Sequence, residues 1–118
     1  MNRSALGREG EEIAARSLTE EGLRVVARNF RAGRGEIDIV AVDADTLVFV
    51  EVKSWSVYGF PDLEFSLNEA KIARIVETAK IFLARNREYN CMAVRFDLVF
   101  VEKGRFVRHL ASAFTERV

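Results

Sequence analysis

Gly35-Glu36-Ile37-Asp38-Ile39-Val40-Ala41-Val42-Asp43-Ala44-Asp45-Thr46-Leu47-Val48-Phe49-Val50-Glu51-Val52-Lys53 is the stretch on which the reading of this chain turns. It holds two runs, Gly35 to Val42 and Leu47 to Lys53, rich in Ile, Val and Phe, residues that fit a pleated, half-buried surface. Asp43-Ala44-Asp45-Thr46 between them has the short polar side chains of a turn. Alternation along an extended chain puts Glu36, Asp38, Val40 and Val42 on one face of the first strand. It puts Leu47, Phe49, Glu51 and Lys53 on one face of the second. A turn centred between Ala44 and Asp45 makes the numbers of facing residues sum to 89. Asp38 then faces Glu51 and Glu36 faces Lys53, with Cβ atoms roughly 5 Å apart.

Two facing carboxylates repel, and a fold accepts that cost when a cation sits between them. Lys53 is one candidate and a divalent ion is another. Two carboxylates with waters and phosphate oxygens suit Mg²⁺, a hard ion that keeps several waters. Such an ion polarises a scissile phosphate and activates a water, while Lys53 orients or deprotonates that water or stabilises developing charge. The alternative is a hairpin face of solvated charges. Val40, Val42, Leu47 and Phe49 on the same face count against it.

Working outward, Ser4 to Glu21 has a helical pattern, with Leu6, Ile13, Ala14 and Leu18 on one stripe and Gly22 as a stop. Glu11 falls at the edge of that stripe and Glu12 points further out. Arg24 to Phe30 reads as a short strand. Residues 54 to 65, with Gly59 and the single Pro, Pro61, read as a loop. Ser66-Leu67-Asn68-Glu69 matches a capping box for a helix running to about Arg87, whose buried face is Ile72, Ile75, Val76, Ala79, Phe82 and Leu83. Ala93 to Glu102 is another strand, Lys103-Gly104 a turn, and Arg105 to Leu110 a short last strand. The order αβββαβ(β) predicts an α/β fold: an antiparallel meander plus an added strand in a mixed sheet, with helices on both faces.

The 118 residues fit a single domain, 1–118. Eighteen basic and eighteen acidic residues cancel, which argues against a histone-like duplex coat but not against an enzyme with a carboxylate site. The charge is uneven: Arg24, Arg28, Arg31 and Arg34 follow one another with no acid between Glu21 and Glu36. Arg28, Arg31 and Arg34 either bind phosphates or lie on a solvated strand edge. Lys71, at the border of the second helix's apolar face, either points to the site or snorkels. The one Cys, Cys91, reads as a small core hydrophobe and fits a reducing, cytoplasmic setting. Neither a signal peptide nor a membrane span is expected. Asp97 is read as structural, paired with Arg95, and the lone His109 as structural too. Glu36 is either a further ligand or the partner of Lys53.

Asp38 with Glu51-Val52-Lys53 resembles the PD-(D/E)XK nuclease motif, shared by many restriction enzymes and Holliday junction resolvases. The wider set is more specific: Gly7-x-x-Gly10-Glu11, Arg28-Asn29-Phe30-Arg31, Gly35-Glu36-Ile37-Asp38-Ile39, Phe49-Val50-Glu51-Val52-Lys53, Lys71-x-x-Arg74-Ile75, Arg95-Phe96-Asp97, then His109 and Ala113-Phe114. Together these resemble the bacterial YraN family over nearly the whole chain. The resemblance implies a restriction-endonuclease-like fold. It implies Mg²⁺ or Mn²⁺ held by Asp38 and Glu51, with the Val52 carbonyl as a third ligand and Lys53 as the catalytic lysine. Glu11 matches a first-helix Glu that joins the site in resolvase-like relatives. The substrate so implied is DNA, including branched DNA, and relatives that dimerise to cut two strands raise a homodimer. Trp55 stands where the family has an Arg, so that Arg's substrate contact does not carry over; Trp55 either stacks on a base or packs on the domain.

Three readings stay open: a metal-dependent endodeoxyribonuclease, a nucleic-acid-binding module with the fold but no turnover, and an interaction protein whose charged hairpin serves stability alone. The presence of Asp38, Glu51 and Lys53 together favours the first.

Overall fold

A computed structural model describes residues 5–55 and 68–115. The elements are α1 (Ala5–Glu20), β1 (Arg24–Ala32), β2 (Gly35–Asp43), β3 (Thr46–Trp55), α2 (Glu69–Arg85), a 3₁₀ turn (Arg87–Tyr89), β4 (Ala93–Glu102) and β5 (Arg105–Phe114). The strands form one sheet in sequence order. Pairs β1–β2, β2–β3 and β4–β5 are antiparallel, whereas β3–β4, joined through α2, is parallel. The expected mixed α/β sheet is therefore present.

The two helices cover opposite faces, as alternation along the strands requires. On one face α1 packs Ala14 and Leu18 against Ile39, Ala41, Val48, Val50, Val99 and Val101. On the other, Ile75, Val76, Ala79 and Phe82 of α2 pack against Val40, Val42, Leu47, Phe49 and Phe96. Phe82 meets the rings of Phe30 and Phe49 edge-on, at centroid distances of 5.1 and 5.8 Å.

The register of the β2–β3 hairpin is the one the turn residues imply, from Asp43↔Thr46 to Ile39↔Val50. Ala44 turns the chain with φ +56°, and Lys103-Gly104 turns β4 into β5 with φ +50° and +75°. Strict alternation fails lower down β2. Ile37 packs with Val40 and Val42 on the α2 face, although Ile39 and Ala41 face α1. The change of side falls at Asp38. The β1–β2 register runs unbroken past this point, from Arg28↔Ile39 to Phe30↔Ile37, and Asn29, opposite Asp38, has φ +54°. The expectation that Glu36 and Asp38 simply share a face with Val40 is thus corrected.

Other boundaries moved for local reasons. The cap of α2 is Asn68, whose side chain accepts the Lys71 N–H at 2.8 Å. Asn caps as well as Ser, and Glu69 then lies in the first turn where its charge favours the helix dipole. Ser66 and Leu67 of the expected capping box lie outside the described residues, as do Gly59 and Pro61 of the loop and the side chains of Leu6 and Trp55. The helix ends at Arg85, with the Asn86 side chain donating to the Phe82 carbonyl at 2.8 Å. β1 continues past Phe30 to Ala32, and β5 past Leu110 to Phe114. A bulge between Phe96 and Leu98 of β4, with Ser112 at φ +53°, keeps the end of β5 paired. Cys91 is exposed, not buried, because it sits in the turn before β4.

Candidate active site

β2 and β3 stop pairing at Ile39↔Val50, yet β3 runs on to Trp55 alongside β4. The edge of β3 beyond Val50 is therefore open toward β2. Asp38 fills the first vacant position: its Oδ2 accepts the Val52 N–H at 2.7 Å, replacing a backbone ladder bond. Beside it lies a cavity of about 420 Å³ lined by Glu11 of α1, Asp38, Glu51 and Lys53 of the strands, and Lys71 and Arg74 of α2. The splay lets helices from both faces of the sheet contribute to one cleft.

Two glycines set the distances. A Cβ on Gly10 would strike the Ser54 side chain, with the Ser54 Cβ at 2.9 Å, so α1 can press onto β3 only with Gly there. That approach places the next residue, Glu11, in the cleft at 3% exposure. A Cβ on Gly35 would strike Thr78 Oγ1 and come within 3.0 Å of the Arg74 carbonyl, so Gly35 brings β2 against α2.

The electrostatics are lopsided. Asp38 is 8% exposed, and its carboxyl is pushed up to about 8. Burial is the main cause, followed by the charge of Glu51, with Glu11 and Glu36 adding; the Val52 N–H opposes the shift. Glu51 Oε2 pairs with Lys53 Nζ at 3.1 Å and with Lys71 Nζ. Burial and the neighbouring Lys71 lower the Lys53 ammonium against the pull of Glu51. For Lys71 burial also opposes the charge, but Glu51 outweighs it and the ammonium is raised.

The structure brings together Glu11, Asp38, Glu51, Val52, Lys53, Lys71 and Arg34 around the cleft. Arg28 and Arg31 are not among its lining residues. Arg28 pairs with Glu12 at 3.1 Å on the α1 side, and Arg31 with Glu36, also at 3.1 Å. Glu36 is thus a partner of Arg31, and Lys53 of Glu51, in place of the expected Glu36–Lys53 pair. Sequence reasoning missed Arg74 and Ser54 as lining residues. Arg74 was findable, since it follows Lys71 by one helical turn on the same face. Ser54 Oγ is buried without a hydrogen-bond partner among the described residues.

Among the described residues no group of three or more His, Cys, Asp or Glu side chains is placed to hold a metal ion. A Mg²⁺-type ion does not need one, because it takes one or two carboxylates and keeps its waters. The donor set of Asp38 and Glu51, with Glu11 close by and Asp38 raised by three neighbouring carboxylates, fits such a hard ion.

The fold and site define a class: α/β proteins with a buried carboxylate–lysine cluster where two central strands part. The chain belongs to the family described as Uncharacterised protein family UPF0102, the YraN family, whose model matches residues 10–101. A UPF0102 protein of Treponema pallidum (strain Nichols) is 44% identical, over 96% of this chain and 94% of its own. One from Streptomyces griseus is 46% identical, over 84% and 83%. One from Persephonella marina is 38% identical, over 92% and 91%. No helix among the described residues is long and apolar enough to cross a membrane.

Proposed function

We propose that this protein is a metal-dependent endonuclease of the restriction-endonuclease-like fold, hydrolysing phosphodiester bonds of DNA, including branched DNA. The observation that carries the reading is Asp38, a carboxyl pushed up to about 8 by burial and three carboxylates, in a cleft shared with Lys53. Such perturbed groups gather where charge is to be received or moved.

Asp38 and Glu51 would hold Mg²⁺ or Mn²⁺, with Glu11 and the Val52 main chain beside them. The ion, when bound, stabilises charge on the phosphoryl oxygens. Lys53, whose ammonium is lowered, would as the neutral amine take the proton of the attacking water as that water's oxygen bonds to phosphorus and the P–O ester bond breaks, the leaving oxygen taking a proton from solvent. Arg34 and Arg74 at the cleft lining attract flanking phosphates. Arg28 and Arg31 extend that basic surface along β1, though each already has a carboxylate partner. A homodimer would cut two strands.

One observation favours a second reading, a binding module without turnover: both lysines already engage Glu51. Incubation with linear, nicked and four-way-junction DNA in Mg²⁺, Mn²⁺ or EDTA separates the two. The nuclease reading expects metal-dependent cleavage that Lys53→Ala lowers by about 10² or more. No cleavage of any substrate, with DNA binding unchanged in Asp38→Ala, sinks it.

A further inference from the structure

Glu51 carries one charge and engages two ammonium groups on one oxygen, Oε2. The two lysines differ in how they arrive. Lys53 stands two residues from Glu51 on the same strand, so its place is fixed by β3. Lys71 reaches in from α2 on a flexible four-carbon stem, and its side chain is 30% exposed against 19% for Lys53. Lys71 also feels the attraction of Asp38. Its ammonium therefore lies in the joint field of the two carboxylates that would hold a divalent ion. One helical turn further on, Arg74 lines the same cavity and forms no ion pair among the described residues.

We propose that Lys71 is the resting counter-ion of the site, which a divalent cation displaces from Glu51, and that the freed ammonium then joins Arg74 in holding a substrate phosphate. The proposal rests on the reading of Asp38 and Glu51 as metal-binding residues. Lys71 is a positioning residue that links metal loading to phosphate binding. In the metal-free protein it neutralises Glu51 and keeps the cleft from collecting other cations. Metal entry exchanges one cation for another on Glu51, so the ammonium is released on the helix wall that faces incoming phosphate.

Mn²⁺ titration by calorimetry, without DNA, tests the exchange in the wild type, Lys71→Met, Lys71→Arg and Arg74→Gln. Lys71→Met keeps most of the stem and removes the competitor, so Mn²⁺ should bind roughly fivefold tighter. Arg74→Gln removes an equal charge from the same cavity without touching Glu51 and should change the affinity less than about twofold. Lys71→Arg should match the wild type. DNA affinity supplies the second readout: Lys71→Met should weaken binding in Ca²⁺ and leave it unchanged in EDTA. Equal tightening in Lys71→Met and Arg74→Gln would overturn the proposal, because net charge alone would then explain it. So would unchanged Mn²⁺ affinity in Lys71→Met, or the same loss of DNA binding with and without Ca²⁺. Failure of the metal site itself looks different: the folded wild type binds no Mn²⁺, or Asp38→Asn binds it as tightly, and both readings fall together.

Discussion

Asp38 and Asp97 are both buried in the sheet, 8% and 1% exposed, yet their carboxyls are driven in opposite directions. Burial pushes both up. At Asp97 it is overcome by His109 first, then by Arg95 and the Ser112 N–H, and the carboxyl ends below its ordinary range. Arg95 holds it with two hydrogen bonds, at 2.9 and 3.0 Å, and reaches Asp43 with a third at 3.0 Å. His109 sits 2.7 Å from Asp97 through Nε2 and 2.7 Å from Glu21 through Nδ1. Carboxylates only accept, so both ring nitrogens must donate and the ring is an imidazolium. Asp38 accepts the Val52 N–H and stands among the charges of Glu51, Glu11 and Glu36, while Lys53 and Lys71 engage Glu51. The contrast separates an acid held among cations from one held among carboxylates. Burial is common to both, and the charges around each decide the direction of its shift.

Removing the well-compensated acid should cost most. Asp97→Ala leaves Arg95 and the imidazolium of His109 without their shared anion, and urea denaturation should report a loss of about 3–5 kcal/mol. Asp38→Asn should do the reverse. With the folded carboxyl near 8 and the unfolded one at 3.8, the native state binds the extra proton between those values. Wild-type stability therefore falls as pH rises from about 4 to 8, and the asparagine should flatten that fall. At pH 8 we expect Asp38→Asn to be the more stable protein by roughly 2 kcal/mol in metal-free buffer, since a shift of that kind is worth about 1.4 kcal/mol per unit before solvent and coupling reduce it. An equally steep fall in the variant would remove the charge account of the site.

His109→Gln is the smaller change. Its raised ring stabilises the fold fully below 6.5, and that contribution fades as pH climbs through the folded value. The variant should lose about 1–2 kcal/mol at pH 6 and progressively less at alkaline pH. A loss independent of pH would mean the ring acts by packing, not by charge.

What sequence could supply was local. The Asp43–Thr46 turn fixed the pairing above Ile39, and Glu11 was readable from its place on a helical stripe. The parting of β2 from β3 was not readable, because the turn residues set a register but not the point at which pairing ends, Ile39↔Val50. Alternation is a property of one regular strand and does not say where that strand leaves its neighbour. The Glu51 pairs were half legible. Lys53 lies two residues away on the same strand, whereas Lys71 is delivered by α2 from twenty residues on. His109 and Glu21 lie 88 residues apart, and only the closing of β5 onto the end of α1 makes them neighbours.

The central claim is that the charge imbalance at Asp38 exists to receive a divalent cation, and thermal denaturation at pH 8 with and without Mn²⁺ tests it most directly. At a hundredfold excess over its dissociation constant, Mn²⁺ should raise the wild-type melting temperature by roughly 10 °C, raise that of Asp97→Asn by a similar amount from a lower start, and leave Asp38→Asn unmoved. No rise in the wild type, or an equal rise in Asp38→Asn, would contradict the account.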